Sequence, residues 1–497
     1  MREELKKFLC ELKKYIDAAF IIWYVVSSGA KACKNDWEVT TMKKLFSLLL
    51  VLVLALSAFA TVAAAEAEGT VKMLVNVTGG KDEAEMVLWG EALSAATGLN
   101  IVLEKPASDY GNVLMQKLSA GESYDLIYLG SDQYKNLADQ GALTDLTDYI
   151  NASEILTNNG PASEWEDLKI DGKIYAGFNK RELHILVNVN KNMLAAAGID
   201  YTTIEPTLDG YYNVFKALRE ANPSEDFYPL NTIMSENWDL QPWMASQGLK
   251  GGVVVDEDGQ TYVPYATDAA APVWEWFKKL YDEKLLDPAS FVDKTKDMRN
   301  KMGAASQQTA VDVDWAAWIG LHNANAAAGG VTTDTYEIAP LPGCQTPDGT
   351  YMLRKGGASL FAVPVNAGNV EGAVKVLEYF ATQEGGLLLT LGIEGHDYTV
   401  EGDTYTLTET GAAHAMDHGA PVPIYTEFVN PIGLNLGVEE ALTYLDYAGI
   451  ETIIANEGDY KSIVGKWAIS MIKGEVEILD GLASMRAELV SMGICQK

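Results

Sequence analysis

The sequence predicts an α/β fold built on mostly parallel sheets covered by helices on both faces. Three observations lead there. From Val71 onward short apolar runs alternate with stretches of helical spacing, the signature of strand–helix–strand units. Hydrophobic residues make up 48% of the chain and charged residues 21%, which suits packed globular domains and argues against wholesale disorder. A length of 497 residues is enough for two or three domains, each with its own core.

The elements follow in order. Residues 71–77 (VKMLVNV) read as a buried strand. Residues 82–97 carry apolar groups at Met86, Val87, Leu93 and Ala96, and Gly98 stands where a helix C-cap belongs. Strands are expected at 101–104 and 125–129, with helices at 110–119 and at 133–140, the latter closed by Gly141. Two strand-like runs flank the polar Asn179-Lys180-Arg181-Glu182, and helices are expected at 191–197, 208–221, 269–283 and 371–382. Residues 253–263 and 341–353 look like turn-linked strand pairs. The Asp256-Glu257-Asp258-Gly259 cluster lacks the Glu spacing of a calcium loop and reads as a hairpin turn.

Met42-Lys43-Lys44, the apolar run 45–60 and Ala63-Ala64-Ala65 supply the charged end, the core and the small-residue cleavage site of an export signal over 42–65. Residues 1–41 are read as an extension upstream of the true start at Met42. Export is therefore expected, to the periplasm or the outer face of the cell membrane. The stretch after the signal, Ala65-Glu66, offers no cysteine for a lipid anchor.

Charge narrows the function classes. Before Glu66 there are nine basic and six acidic residues; the totals of 37 and 69 then leave 28 basic against 63 acidic, a net charge of −35. A field of that sign repels phosphate backbones and anionic headgroups, so nucleic acid and membrane surfaces are poor partners. Cys344 and Cys495 are the two cysteines beyond the signal, with no ligand spacing for zinc or a cluster; free thiols and a bridge are both open. No G-x-S-x-G elbow, H-E-x-x-H or P-loop occurs. His414 and His418 stand at i, i+4, a metal pair only if that stretch is helical, and a polar loop is the default reading.

Four segments together resemble a known family. They are 124–146 (YDLIYLGSDQYKNLADQGALTDL), 172–200 (GKIYAG, VNKNM and AGID), 280–288 (LYDEKLLDP) and 374–398 (VKVLEYF, QEG and GIEGHDY). Their order resembles that of extracellular solute-binding proteins of ABC importers, the family that includes the maltose-binding protein, and its oligosaccharide branch in particular. The resemblance implies a two-lobe periplasmic-binding-protein-like fold with discontinuous lobes and a hinge between them. By analogy lobe one would hold 66–178 and 309–355, and lobe two 186–308 and 356–497. Crossings would then lie near 178–180, 308–314 and 355–359. It further implies a monomeric receptor, not an enzyme and with no cofactor, that passes a small-molecule ligand, a sugar by analogy, to membrane permease subunits. A secreted carbohydrate-active enzyme, or a receptor for a peptide or another polar solute, is the alternative.

A sugar presents hydroxyls that donate and accept and C–H faces that pack on rings, so its site needs acids, amides or Arg around Trp or Tyr, on loops past strand carboxyl ends. Ser131 and Asp132, just past the 125–129 strand, meet that description; Asp132 suits an N-cap of the following helix equally well. In the cluster 312–318, Asp312, Asp314 and Trp315 are expected to face ligand, because acids are rarely buried unpaired. Trp315 matches a ring-stacking Trp of the family. Arg181 and Glu182, in the first crossing, read either as ligand contacts or as a hinge ion pair. Trp238 and Trp243 lie in an irregular, proline-containing stretch and read as binding-face aromatics, and Lys81 follows the first strand.

Overall fold

A computed structural model describes residues 69–76, 82–107, 109–160, 162–181, 183–237, 239–356, 359–414, 422–450 and 456–497. The chain begins with β1 (Thr70–Leu74), α1 (Glu83–Thr97), β2 (Asn100–Glu104), α2 (Tyr110–Ser119), β3 (Leu126–Leu129) and α3 (Ser131–Asp139), and reaches β4 (Ala176–Lys180) through short helices. It continues with β5 (Ile185–Asn190), α4 (Leu208–Ala221), β6 (Tyr228–Leu230), α5 (Ala271–Asp282), α6 (Thr295–Met302), β7 (Thr309–Trp315), α7 (Ala316–Ala328), β8 (Ile338–Leu341) and β9 (Leu353–Lys355). Next come β10 (Ser359–Ala362), α8 (Val370–Phe380), α9 (Gln383–Thr390), the β11 (Tyr398–Glu401) and β12 (Thr404–Leu407) hairpin, and α10 (Glu409–His414). The last elements are β13 (Ala448–Ile450), α11 (Glu457–Ile472) and α12 (Ile478–Ser491).

Local chemistry sets many of these boundaries. Asp82 accepts the Glu85 N–H at 3.0 Å to open α1, and Gly98 closes it at φ +71°, a conformation only glycine adopts without strain. Thr207 and Thr382 cap α4 and α9 in the same way, each accepting an N–H three residues on.

Two sheets result. In lobe one the order is β2-β1-β3-β10-β4, with β1 parallel to both β2 and β3 and with β10 antiparallel to β3 and β4. Its core joins Val71, Leu126, Ile127 and Phe178 to Leu360, Phe361 and Leu377. In lobe two the order is β8-β5-β7-β6, and Val187, Val311 and Val313 pack with Phe215, Trp274, Ile463 and Leu482.

The segments expected to build the lobes are therefore exchanged. Residues 309–355 supply β7 to β9 and belong with lobe two, whereas 359–362 insert between β3 and β4 of lobe one and 370–390 cover it. The expected crossing at 308–314 is an unbroken strand, β7, paired with β5 from Val311 to Trp315 and with β6 from Thr309. The chain passes between lobes at 180–185, at 355–359 and between Ile424 of the lobe-one core and Ala441 beside lobe two.

Residues 254–255 and 261–262 form the expected hairpin, with Asp256 accepting the N–H groups of Asp258 and Gln260 in its turn. The pair expected over 341–353 does not form: β8 pairs with β5 and β9 pairs with β13, leaving a tight Thr346–Thr350 turn between them. Cys344 and Cys495 are buried free thiols. Among the described residues no helix is long and apolar enough to cross a membrane.

Candidate functional site

Strand direction decides which loops can meet. In lobe one, β1, β3 and β4 run the same way, and Ser359 at the start of antiparallel β10 pairs with Lys180 at the end of β4. Lys180-Arg181, the Gly130-Ser131-Asp132 segment, the exit of β1 and Ser359 therefore share one carboxyl edge. Polar side chains gather there. Asn179 Nδ2 lies 3.3 Å from Ser359 Oγ, which is 3.5 Å from the Tyr128 hydroxyl, and the Tyr110 hydroxyl donates to the carbonyls of Leu74 and Tyr128.

In lobe two Ile185 pairs with Trp315, so Trp315 stands at the end of β7 where the chain arrives from lobe one. Strands β6 and β8 run parallel to β7, and the 231–239 loop leaves β6 at the same edge. Both sheets thus turn carboxyl edges toward the 181–184 link, the position where open α/β sheets bind ligands.

The crossings are tied electrostatically. Glu164, 5% exposed, accepts Arg181 Nε at 2.8 Å and Lys355 Nζ at 2.5 Å, one cation from each of two crossings. Arg181 is thus held in an ion pair at the hinge.

The structure corrects several expectations. Helix α3 opens at Ser131 with Gly130 as its N-cap, so Asp132 lies in the first turn and is not a cap. Asp312 and Asp314 have no exposed surface. They lie on one face of β7: Asp312 accepts Asn188 Nδ2 at 2.9 Å, and Asp314 accepts Arg299 through Nε at 2.6 Å and Nη2 at 2.8 Å. Burial, reinforced by the Asp314 charge, pushes the Asp312 carboxyl well above its ordinary range. These acids build lobe two and do not face ligand.

Trp243 is also interior, 5.0 Å from Tyr211 and 5.1 Å from Trp276 between ring centres. Its stretch is helical because Pro242 sits in the first turn, where no N–H is needed. The adjacent Gln241 is satisfied inside the core by Gly251, Leu249 and Tyr265. Trp315 remains partly exposed. Lys81, Glu182 and Trp238 lie outside the described residues.

One buried acid of the lobe-two edge is not evident from the sequence. Asp239 accepts the Thr232 hydroxyl and the Ile233 N–H, the latter at 2.5 Å, and burial pushes its carboxyl up to about 7 despite both bonds. The unfolded value is about 3.9, so the folded state holds the extra proton between about pH 4 and pH 7. Stability is expected to be greatest below that window and to fall as pH rises through it, by up to about 1.4 kcal/mol per pH unit. Asp239→Asn should reduce this slope in urea titrations at pH 4.5 to 7.5, leaving the part of the same sign that Asp312 contributes; an unchanged slope would assign the dependence to Asp312 or another group.

No curated protein matches the sequence. Among solved structures the fold is similar to the GacH receptor of Streptomyces glaucescens, described unliganded and with acarbose (TM-score 0.62, 15% identity, 85% of this chain, 98% of that one). It is similar to the sugar-binding protein MalE of Xanthomonas citri (0.64, 13%, 85% and 96%) and to maltose-bound MalE3 of T. maritima (0.62, 15%, 85% and 99%). These likenesses agree with two α/β lobes. The profile of one family matches residues 78–386, well over half of the chain. On that match the chain belongs to the bacterial extracellular solute-binding proteins.

Proposed function

We propose that this protein is an exported receptor that closes its lobes on a carbohydrate, an oligosaccharide by the branch it resembles, and delivers it to an ABC permease. What supports the reading is strand direction: both sheets end strands beside the chain's passage between lobes, with Ser131 and Asp132 following β3 in one and the half-buried Trp315 closing β7 in the other. A flat ring opposite a polar edge suits a sugar, whose C–H face packs while its hydroxyls are bonded. Acarbose and maltose in the similar structures support that ligand class. Asn179, Ser359 and Tyr128 join the proposed contacts. Closure would shift an open–closed equilibrium by the ligand's differential affinity for the two states.

Thermal-shift and calorimetric screening of the purified protein against sugars and peptides tests this. A sugar at a hundred times its Kd should stabilise by about 2.7 kcal/mol. Trp315→Ala should abolish that stabilisation while leaving the ligand-free melting point nearly unchanged. Release of cleaved sugar beyond one equivalent per protein would overturn the receptor reading in favour of an enzyme.

A further inference from the structure

A second constellation lies in lobe one among residues that the sugar reading does not use. Glu85 in the first turn of α1, His396 just before β11 and His414 at the end of α10 offer one ligand atom each, all within 4.8 Å of one another. His396 Nε2 is 2.7 Å from Glu85 Oε2, and His414 Nε2 is 3.9 Å from Glu85 Oε1. The second distance is beyond a hydrogen bond. Two ligands of a tetrahedral ion with bonds of about 2.0–2.1 Å stand about 3.3 Å apart, a spacing between the 2.7 Å and 3.9 Å of these two pairs.

The surroundings hold His414 in one orientation. Its Nδ1 is 2.6 Å from Asp397 Oδ1; a carboxylate only accepts, so Nδ1–H donates to it and the lone pair of Nε2 is left toward Glu85. Asp397 is only 1% exposed, and its other oxygen accepts the Ile393 N–H at 2.7 Å. Its cradle requires two glycines. A Cβ at Gly411 would stand 1.8 Å from the Asp397 carbonyl oxygen, and one at Gly392, already at φ +91°, would stand 2.3 Å from Asp397 Oδ2. Thr408 completes the frame by donating to the His396 carbonyl and accepting the Gly411 N–H. A carboxylate behind a ligating imidazole is how metal sites fix the tautomer and aim of the ring.

We propose that Glu85, His396 and His414 bind a divalent transition ion of the zinc class, with Asp397 as the positioning residue for His414. Two imidazoles and one carboxylate suit zinc, whereas calcium and magnesium take all-oxygen shells. The ion would clip the β11–β12 hairpin and α10 to the helix that follows β1, joining segments about 310 residues apart in sequence, and would leave a fourth position for water.

The test uses the full chain, stripped with a chelator and titrated with ZnCl2 by calorimetry, with bound metal counted after dialysis. One zinc per chain is expected, with a rise in melting temperature, and cobalt in its place should give the visible absorption of a four-coordinate N/O site. Asp397→Asn should weaken zinc by about 10–100-fold. His414→Gln and Glu85→Gln should weaken it further, and Glu85→Gln should keep the metal-free melting point of the parent. Glu85 sits on the flank of a helix, so its variant keeps the test sound even where a change at His414 unfolds the hairpin. Absence of stoichiometric zinc, or the same affinity in Glu85→Gln as in the parent, would overturn the site.

Discussion

Arg299→Ala is expected to cost about 3–5 kcal/mol of stability, the penalty for leaving a buried carboxylate without its cation. Asp314 has no exposed surface and takes both hydrogen bonds of the Arg299 fork, and Asp312 lies two residues away on the same face of β7. Without Arg299 two acids would share a dry interior, with Asn188 donating to Asp312 and the Trp315 N–H to Asp314. The guanidinium also lies over the Trp318 ring at 3.8 Å. Lysine could restore a charge there but neither the fork nor the stack, so Arg299→Lys should fall between parent and alanine variant. Adding Asp314→Asn to Arg299→Ala should recover part of the loss. Urea unfolding measures each step, and a loss under about 1 kcal/mol for Arg299→Ala would mean that water reaches the acids after all. The effect should extend to ligand, because Asp314 Oδ1 also accepts the Trp315 N–H at 2.8 Å and so helps to fix the ring proposed to stack on sugar.

This pair shows where the sequence stops being legible. The expectation that Asp312 and Asp314 face ligand rests on acids being rarely buried alone; their partners, Arg299 and Asn188, are brought in by folding from other elements. Helices 110–119 and 208–221 are readable to the residue because apolar spacing is local, as is the Thr207 cap of the second. Lobe membership is not. Ser359-Leu360-Phe361-Ala362 is a short apolar strand that any sheet edge could accept, and only the antiparallel slot between β3 and β4 assigns it to lobe one. The histidines follow the same pattern. Along the chain His414 invites pairing with His418, whereas in space it meets His396 and Glu85, the latter some 330 residues earlier. The edge carrying Ser131 is legible, since a parallel strand fixes where its loop emerges.

Trp243 and Trp315 look alike along the chain, each beside polar residues and breaks in regular structure, but mutation should separate them. Trp243→Ala removes a fully buried ring packed on Tyr211, Phe215 and Trp276, and should destabilise by about 3–5 kcal/mol. Among the described residues its indole N–H has no hydrogen-bond partner. Trp243→Phe would remove that unpaired donor together with part of the ring, so its cost should be well below that of alanine. The fraction of Trp243→Ala that remains folded should bind ligand with the parent's affinity, because the change lies in the core of lobe two and not at its carboxyl edge. Trp315→Ala should do the reverse, losing affinity while keeping its melting point. Denaturant curves and calorimetry on both variants decide the matter. If Trp243→Ala abolished binding at full stability, its ring would have to turn out of the core toward ligand, and the assignment of the lobe-two interior would have to be revised.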